Sequence, residues 1–130
     1  MKTATSLITS MLAKLGIETK NKLVQHPAYT KIKAGKFLYD SQYPKNYIVR
    51  SKDIQWDFLD HIGIELTSKI EWLSDLEYKL TLMKINDDEQ IHLKVGDTLH
   101  ATIIDITHDF YVIESNYKET IKQTEVWFVE

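Results

Sequence analysis

Five histidines, at positions 26, 61, 92, 100 and 108, are the first residues to weigh for chemistry. His100 and His108 share an expected strand or its end, with Asp105 and Asp109 nearby. Residues eight apart on an extended strand are about 26 Å from each other, so one strand cannot bring both to one ion. Asp60 and His61 are adjacent and would point to opposite faces of a strand. The usual ligand spacings are absent, and no metal is expected. The chain has no cysteine, which excludes disulfides, thiolate nucleophiles, cysteine zinc sites and iron–sulfur clusters. There is no G-x-S-x-G elbow, and Ser41, Ser51, Ser68, Ser74 and Ser115 read as turn, strand-end or inward strand residues. The four glycines (Gly16, Gly35, Gly63, Gly96) are isolated, each at an element boundary. A phosphate cradle needs them clustered, so no nucleotide and no other cofactor is expected. Asp87-Asp88-Glu89 reads as a solvated acidic loop. The chain is therefore read as a non-enzymatic one.

Two groups of residues could bind rather than react. Between residues 29 and 52, Tyr29, Phe37, Tyr39, Tyr43 and Tyr47 interleave with Lys31, Lys33, Lys36, Lys45, Arg50 and Lys52. Stacking rings beside phosphate-neutralising cations are what single-stranded nucleic-acid sites use. Against this, Arg50 is the only arginine, and arginine is the usual choice for planar recognition. The pI of about 5.9 is also far from basic. The second group is aromatic: Trp56, Trp72 and Trp127 read as core anchors, or as the wall of a ligand cavity if the sheet closes into a barrel. Arg50 is expected either to pair with an acid from the following strands or to point at a ligand.

Charge is unevenly distributed along the chain. Residues 1–52 carry ten Lys/Arg and two acids, while residues 53–130 carry six Lys and seventeen Asp/Glu. Such asymmetry either marks a partner surface or is neutralised internally on folding. With 130 residues and 43% hydrophobic composition, the chain suits one domain with a real core. No run approaches the ~18 apolar residues of a membrane helix. The first thirteen residues make a poor signal peptide, because Thr and Ser interrupt the apolar stretch. A cytoplasmic location is the expectation.

The elements that must position these residues follow from periodicity. Leu7, Ile8, Met11, Leu12 and Leu15 form one stripe of a helix over residues 3–15, ended by Gly16 and Ile17. A second short helix over residues 19–25 must stop near His26, because Pro27 disfavours a helical residue before it. From residue 34 the period becomes two. Strands are expected over residues 35–39, 47–50 and 54–58, then over 64–72 and 76–82. Three more follow, from Gly96-Asp97 to Ile106, from Phe110 to Ser115 and from Glu119 to Val129. Ile64, Leu66, Ser68, Ile70 and Trp72 share one face, against Glu65, Thr67, Lys69 and Glu71. In the next strand Leu76, Tyr78, Leu80 and Leu82 face inward. That alternation marks an antiparallel sheet wet on one side, and no connection is long enough for a parallel crossover.

The segment Ile70-Glu71-Trp72-Leu73-Ser74-Asp75-Leu76-Glu77-Tyr78-Lys79-Leu80-Thr81 resembles the central hairpin of a family of small Bacteroidetes proteins. Those often read V-E-W-x-S-D-C-E-Y-x-L-x there, and some carry a "DNA topoisomerase IV" label. Gly35-Lys36-Phe37, Ile48-Val49-Arg50-Ser51 with Gln55, and the strand of Tyr111 resemble that family's order of features. The resemblance covers roughly residues 34–128. It implies no assigned activity and no functional residues. Many members look like lipoproteins, which implies a cell-envelope location as the alternative. Here Leu76 replaces the usual cysteine, and no lipoprotein signal is present.

The fold expected is mainly β within an α+β plan: a helical segment over residues 1–33, then an antiparallel up-and-down meander of about eight strands over 34–130. It forms a curved sheet or a lipocalin-like barrel. The function expected is a binding module that contacts a protein partner or holds a small apolar ligand, with Trp56, Trp72, Tyr78 and Arg50 as candidate ligand residues. The alternative is nucleic-acid or ribosome binding through Lys31, Lys33, Lys36, Lys45 and Arg50.

Overall fold

The structure, a computed structural model, describes residues 18–87 and 89–129. The expected helix over residues 3–15 and its Gly16-Ile17 end lie outside the described residues. Residues 18–25 are helical, and the helix stops before His26, where the ring of Pro27 forbids its continuation. A 3₁₀ turn over Pro27–Lys31 follows at once. Proline suits its first position, where no amide partner is needed, and His26 Nδ1 accepts from the Ala28 N–H at 3.1 Å.

Eight strands complete the chain: β1 (Gly35–Leu38), β2 (Asn46–Arg50), β3 (Ile54–Leu59), β4 (Ile64–Trp72), β5 (Glu77–Ile85), β6 (Thr98–Ile106), β7 (Phe110–Tyr117) and β8 (Thr120–Phe128). Each runs antiparallel to the next, and β8 returns to β1, so the meander is a closed barrel. Closure removes the sheet edges that an open meander would expose. The closing seam is short: Phe37 pairs with Phe128 and Leu38 with Trp127.

The inner face of β4 and β5 is the expected one. Ile64, Ser68 and Ile70 are buried, as are Tyr78 and Leu82. Two bulges adjust the register. Thr67 opposes Lys84 while Ser68 opposes Leu82, which leaves Met83 as the extra residue on β5. Ile103 opposes Ile113 while Asp105 opposes Val112, so Ile104 is extra on β6. Each bulge lets two successive residues face outward and restores the apolar set to the interior afterwards; Ile106 is 5% exposed as a result.

One barrel end is plugged by the helical segment. Ala28 and Ile32 pack with Phe37, Ile48, Ile106 and Tyr111, and Leu23 and Val24 add the helix face. Truncating Ile32, which has no exposed surface, to alanine is worth about 2–5 kcal/mol. Tyr29 fastens the plug to the β4–β5 connection by donating to the Asp75 carbonyl at 2.8 Å.

Strand β3 corrects the expectation for the tryptophans. Gln55 and Asp57 are the buried residues, 3% and 4% exposed, and Trp56 lies on the outer face between them. Pairing decides this: Val49 opposes Trp56 and Ile48 opposes Asp57, and Ile48 belongs to the core. Trp127 is also an outer-face residue, tilted against Phe110 at 4.6 Å between ring centroids. Phe110, Trp127, Leu38, Tyr47 and Phe58 are successive cross-strand partners over five strands. They make a half-buried row around one outer side of the barrel. The outer side of β4 instead carries Glu65, Thr67, Lys69 and Glu71.

A candidate ligand cavity inside the barrel

Beyond the plug, the barrel interior is open. A cavity of about 400 Å³ has walls from strands β2 to β8 and from Tyr39, the residue after β1. Its apolar part is made by Ile48, Leu66, Leu80, Leu82, Leu99 and Ile113. Leu93, from the connection between β5 and β6, also reaches it. An eight-stranded barrel is just wide enough to be filled by side chains or to hold one small molecule. The short leucine and serine side chains of these walls leave the second outcome open.

The mouth is held by a polar clasp. Tyr117 at the end of β7 donates to Asp97 Oδ2 at 2.6 Å, and the Lys94 N–H donates to the same carboxylate at 3.0 Å. Those hydrogen bonds, Tyr117 first, hold the Asp97 carboxyl below its ordinary pKa. The connection that bears Leu93 is thereby tied to the β7–β8 hairpin. That hairpin turns on Lys118 and Glu119, both with positive φ (46° and 68°), the backbone of a two-residue primed turn.

The opposite wall is polar and buried. Arg50, 3% exposed, donates through Nε to Gln55 Oε1 at 2.9 Å. Through Nη1 it donates to the Ile32 carbonyl at 2.7 Å and to Tyr111 Oη at 2.8 Å. Its guanidinium sits between the rings of Phe37 and Tyr78, 4.9 and 5.0 Å from their centroids. Gln55 passes the contact on, with Nε2 3.1 Å from Asp57 Oδ2 and 3.3 Å from Oδ1. The Tyr39 hydroxyl donates to Asp57 Oδ1. A neutral amide thus bridges a buried cation and a buried anion.

Burial raises the Asp57 carboxyl above its ordinary pKa, against the hydrogen bonds from Tyr39 and Gln55 and the Arg50 charge. Burial, and after it the nearby Asp57, lift the Tyr39 phenol well above its usual range. The Tyr78 and Tyr111 phenols are raised mainly by burial as well. All three therefore serve as neutral hydrogen-bonding groups.

No family model, curated protein or solved structure matches the chain. The site stands on its own geometry.

Of the sequence candidates, Tyr78 lines the cavity. Arg50, at the end of β2, lies behind its wall against the plug. Trp72 packs at the plugged end with its ring 5.0 Å from that of Tyr78, and its Nε1–H is buried without a partner. Trp56 is outside the barrel and lines nothing. The basic candidates do not converge. Lys31 lies over Phe128 at 5.7 Å and Lys33 over Trp72 at 5.2 Å. Lys36 covers Tyr47 at 4.4 Å, Lys45 is exposed in the β1–β2 connection, and Arg50 is interior. Sequence reasoning passed over Gln55 and Asp57; two polar residues at alternate positions on a strand of otherwise apolar type were the available signal. Among the described residues, no group of three or more His, Asp or Glu is placed to hold a metal ion. No helix there is long and apolar enough to cross a membrane.

Proposed function

We propose that this chain is a non-catalytic binding protein that holds one small, largely apolar molecule inside its barrel. The observation that carries the reading is the cavity of about 400 Å³, within the roughly 300–1,000 Å³ of small-molecule sites. Its apolar walls supply affinity and its few buried polar groups supply orientation, the division of labour such sites use. Titration with the fluorophore N-phenylnaphthylamine tests it. Saturable one-to-one enhancement is expected, weakened at least tenfold by Leu80→Trp, whose ring would occupy the cavity while Tm stays within a few degrees. Absence of saturable binding, or binding indifferent to Leu80→Trp in a folded variant, overturns the reading.

A second reading is favoured by the outer row from Phe110 to Phe58, with Lys36 over Tyr47. Half-buried rings beside a lysine are elements that single-stranded nucleic-acid surfaces use. This reading expects an oligothymidylate to quench tryptophan fluorescence, with affinity falling steeply with salt and lost in Tyr47→Ala. No quenching at low salt would remove it.

A further inference from the structure

Resting on the cavity reading, we infer that the ligand is an apolar alcohol, a molecule whose hydroxyl docks on Asp57 and Ser68 while its apolar body fills the leucine-rich part of the cavity. The argument begins with the polar atoms that face the space. Tyr39, Gln55, Asp57 and Ser68 line it on the β1, β3 and β4 side. Ser68 opposes Gln55 directly across the β3–β4 ladder. Asp57 follows Gln55 by two residues, so it is the diagonal neighbour of Ser68 on the same inner face.

Hydrogen-bond capacity remains there. An ionised carboxylate offers about four lone-pair sites. Asp57 receives one hydroxyl and one shared amide donor, from Tyr39 and Gln55. Both of those donors are committed, so what Asp57 presents to the cavity is an acceptor. Ser68 is 5% exposed, and among the described residues no hydrogen bond engages its hydroxyl. A ligand hydroxyl satisfies the pair, donating to the carboxylate and accepting from the serine.

Charge selects against the two ionic head groups. Arg50 and Asp57 offset one another through Gln55, so the buried layer is already neutral. An ammonium would add a third buried charge with no counter-ion, which is expensive in a dry interior. A carboxylate would face Asp57. The guanidinium is not among the groups that line the cavity; it sits behind the wall between Phe37 and Tyr78, with Nη1 on Ile32 and Tyr111 and Nη2 unpartnered. A neutral donor is the head group that fits.

The test displaces bound N-phenylnaphthylamine from the full chain with decanol, decylamine or decanoic acid, which share one chain length. Decanol is expected to displace the fluorophore at least tenfold more effectively than either ionic analogue. Ser68→Ala and Asp57→Asn should each reduce decanol affinity about tenfold relative to the fluorophore affinity measured on the same variant, and narrow the gap to decylamine and decanoic acid. Ser68→Ala keeps the test sound if Asp57→Asn fails to fold. Decanoic acid displacing best would overturn the inference in favour of an anion reaching Arg50. Decylamine displacing best would overturn it in favour of a cation paired with Asp57. Failure of the fluorophore itself to bind is a different result, and it removes the cavity reading on which the inference stands.

Discussion

Replacing Arg50 with methionine keeps most of the apolar stem between Phe37 and Tyr78 and deletes the charge and its donors. Three hydrogen bonds disappear, to Gln55 Oε1, the Ile32 carbonyl and Tyr111 Oη. The phenol can turn to another partner, but the carbonyl and the amide oxygen stay buried. Asp57 loses the only cation of its layer. Removing one partner of a buried charge pair costs about 3–5 kcal/mol, most of it from the charge left behind. Because Gln55 separates the two ions and methionine retains packing, about 3 kcal/mol is the expectation at neutral pH, a fall in Tm of roughly 10 °C.

The pH dependence supplies the sharper check. Burial already raises the Asp57 pKa, so its contribution to stability is full below the ordinary carboxylate value and is lost as pH rises through the folded value. Without Arg50 that folded value rises further. The difference between Arg50→Met and wild type should therefore shrink on acidification to the ordinary carboxylate range, by which the carboxyl of both chains has taken up its proton. Urea unfolding of both chains at the two pH values measures it. Asp57→Asn in the same background should recover at least about 1 kcal/mol at neutral pH, the coupling expected of residues in one network. A loss below about 1 kcal/mol, or one equally large at both pH values, would refute the assignment of Asp57 as Arg50's buried counter-charge.

Three smaller predictions follow from local geometry. Gly63 ends the 3₁₀ turn over Asp60–Ile62 at φ 67° and ψ 27°, and an added Cβ meets nothing within 4 Å; Gly63→Ala should lose about 1 kcal/mol in denaturant titration, from backbone strain alone. Glu119 sits at φ 68°, so Glu119→Gly should raise Tm by a few degrees, about 0.5–1 kcal/mol, by easing the hairpin turn. Trp72 buries an unpartnered Nε1–H, a group that costs about 1–3 kcal/mol. Trp72→Phe should therefore stay within about 1 kcal/mol of wild type by urea unfolding, where Trp72→Ala loses about 3–5.

The parts of the barrel with conventional polarity were legible in the sequence. β4 alternates Glu65, Thr67, Lys69 and Glu71 with Ile64, Leu66, Ser68 and Ile70, and its inner face follows from that alone. β3 shows the same period with the opposite sense: the aromatic side faces out and Gln55 and Asp57 face in. Alternation fixes that a strand has two faces, and only the pairing with β2 decides which one meets the core. The bulges at Met83 and Ile104 left no trace in composition, because each is defined by the partner strand's register. Arg50 stands out as the only arginine, expected either to point at a ligand or to make a pairing with an acid of the following strands. The structure delivers that pairing through an intervening amide, which a residue count cannot foresee.

The seam between β1 and β8 bears on how the cavity comes into being. Seven of the eight strand contacts join neighbours along the chain, and each can zip from its own turn. The eighth unites Phe37 with Phe128 and Leu38 with Trp127, across nearly the whole described chain. Bringing such distant segments together is the slow step of folding for a topology of this kind. Until the seam closes, the wall that carries Thr124 and Val126 is not joined to β1, and β1 and β8 each offer a bare edge. A chain whose seam is still open has no enclosed cavity, and a second copy's β8 could pair with its bare β1 to complete the wrong barrel. Whatever occupies the finished cavity would stabilise the closed form alone, and so would draw the chain away from the open one.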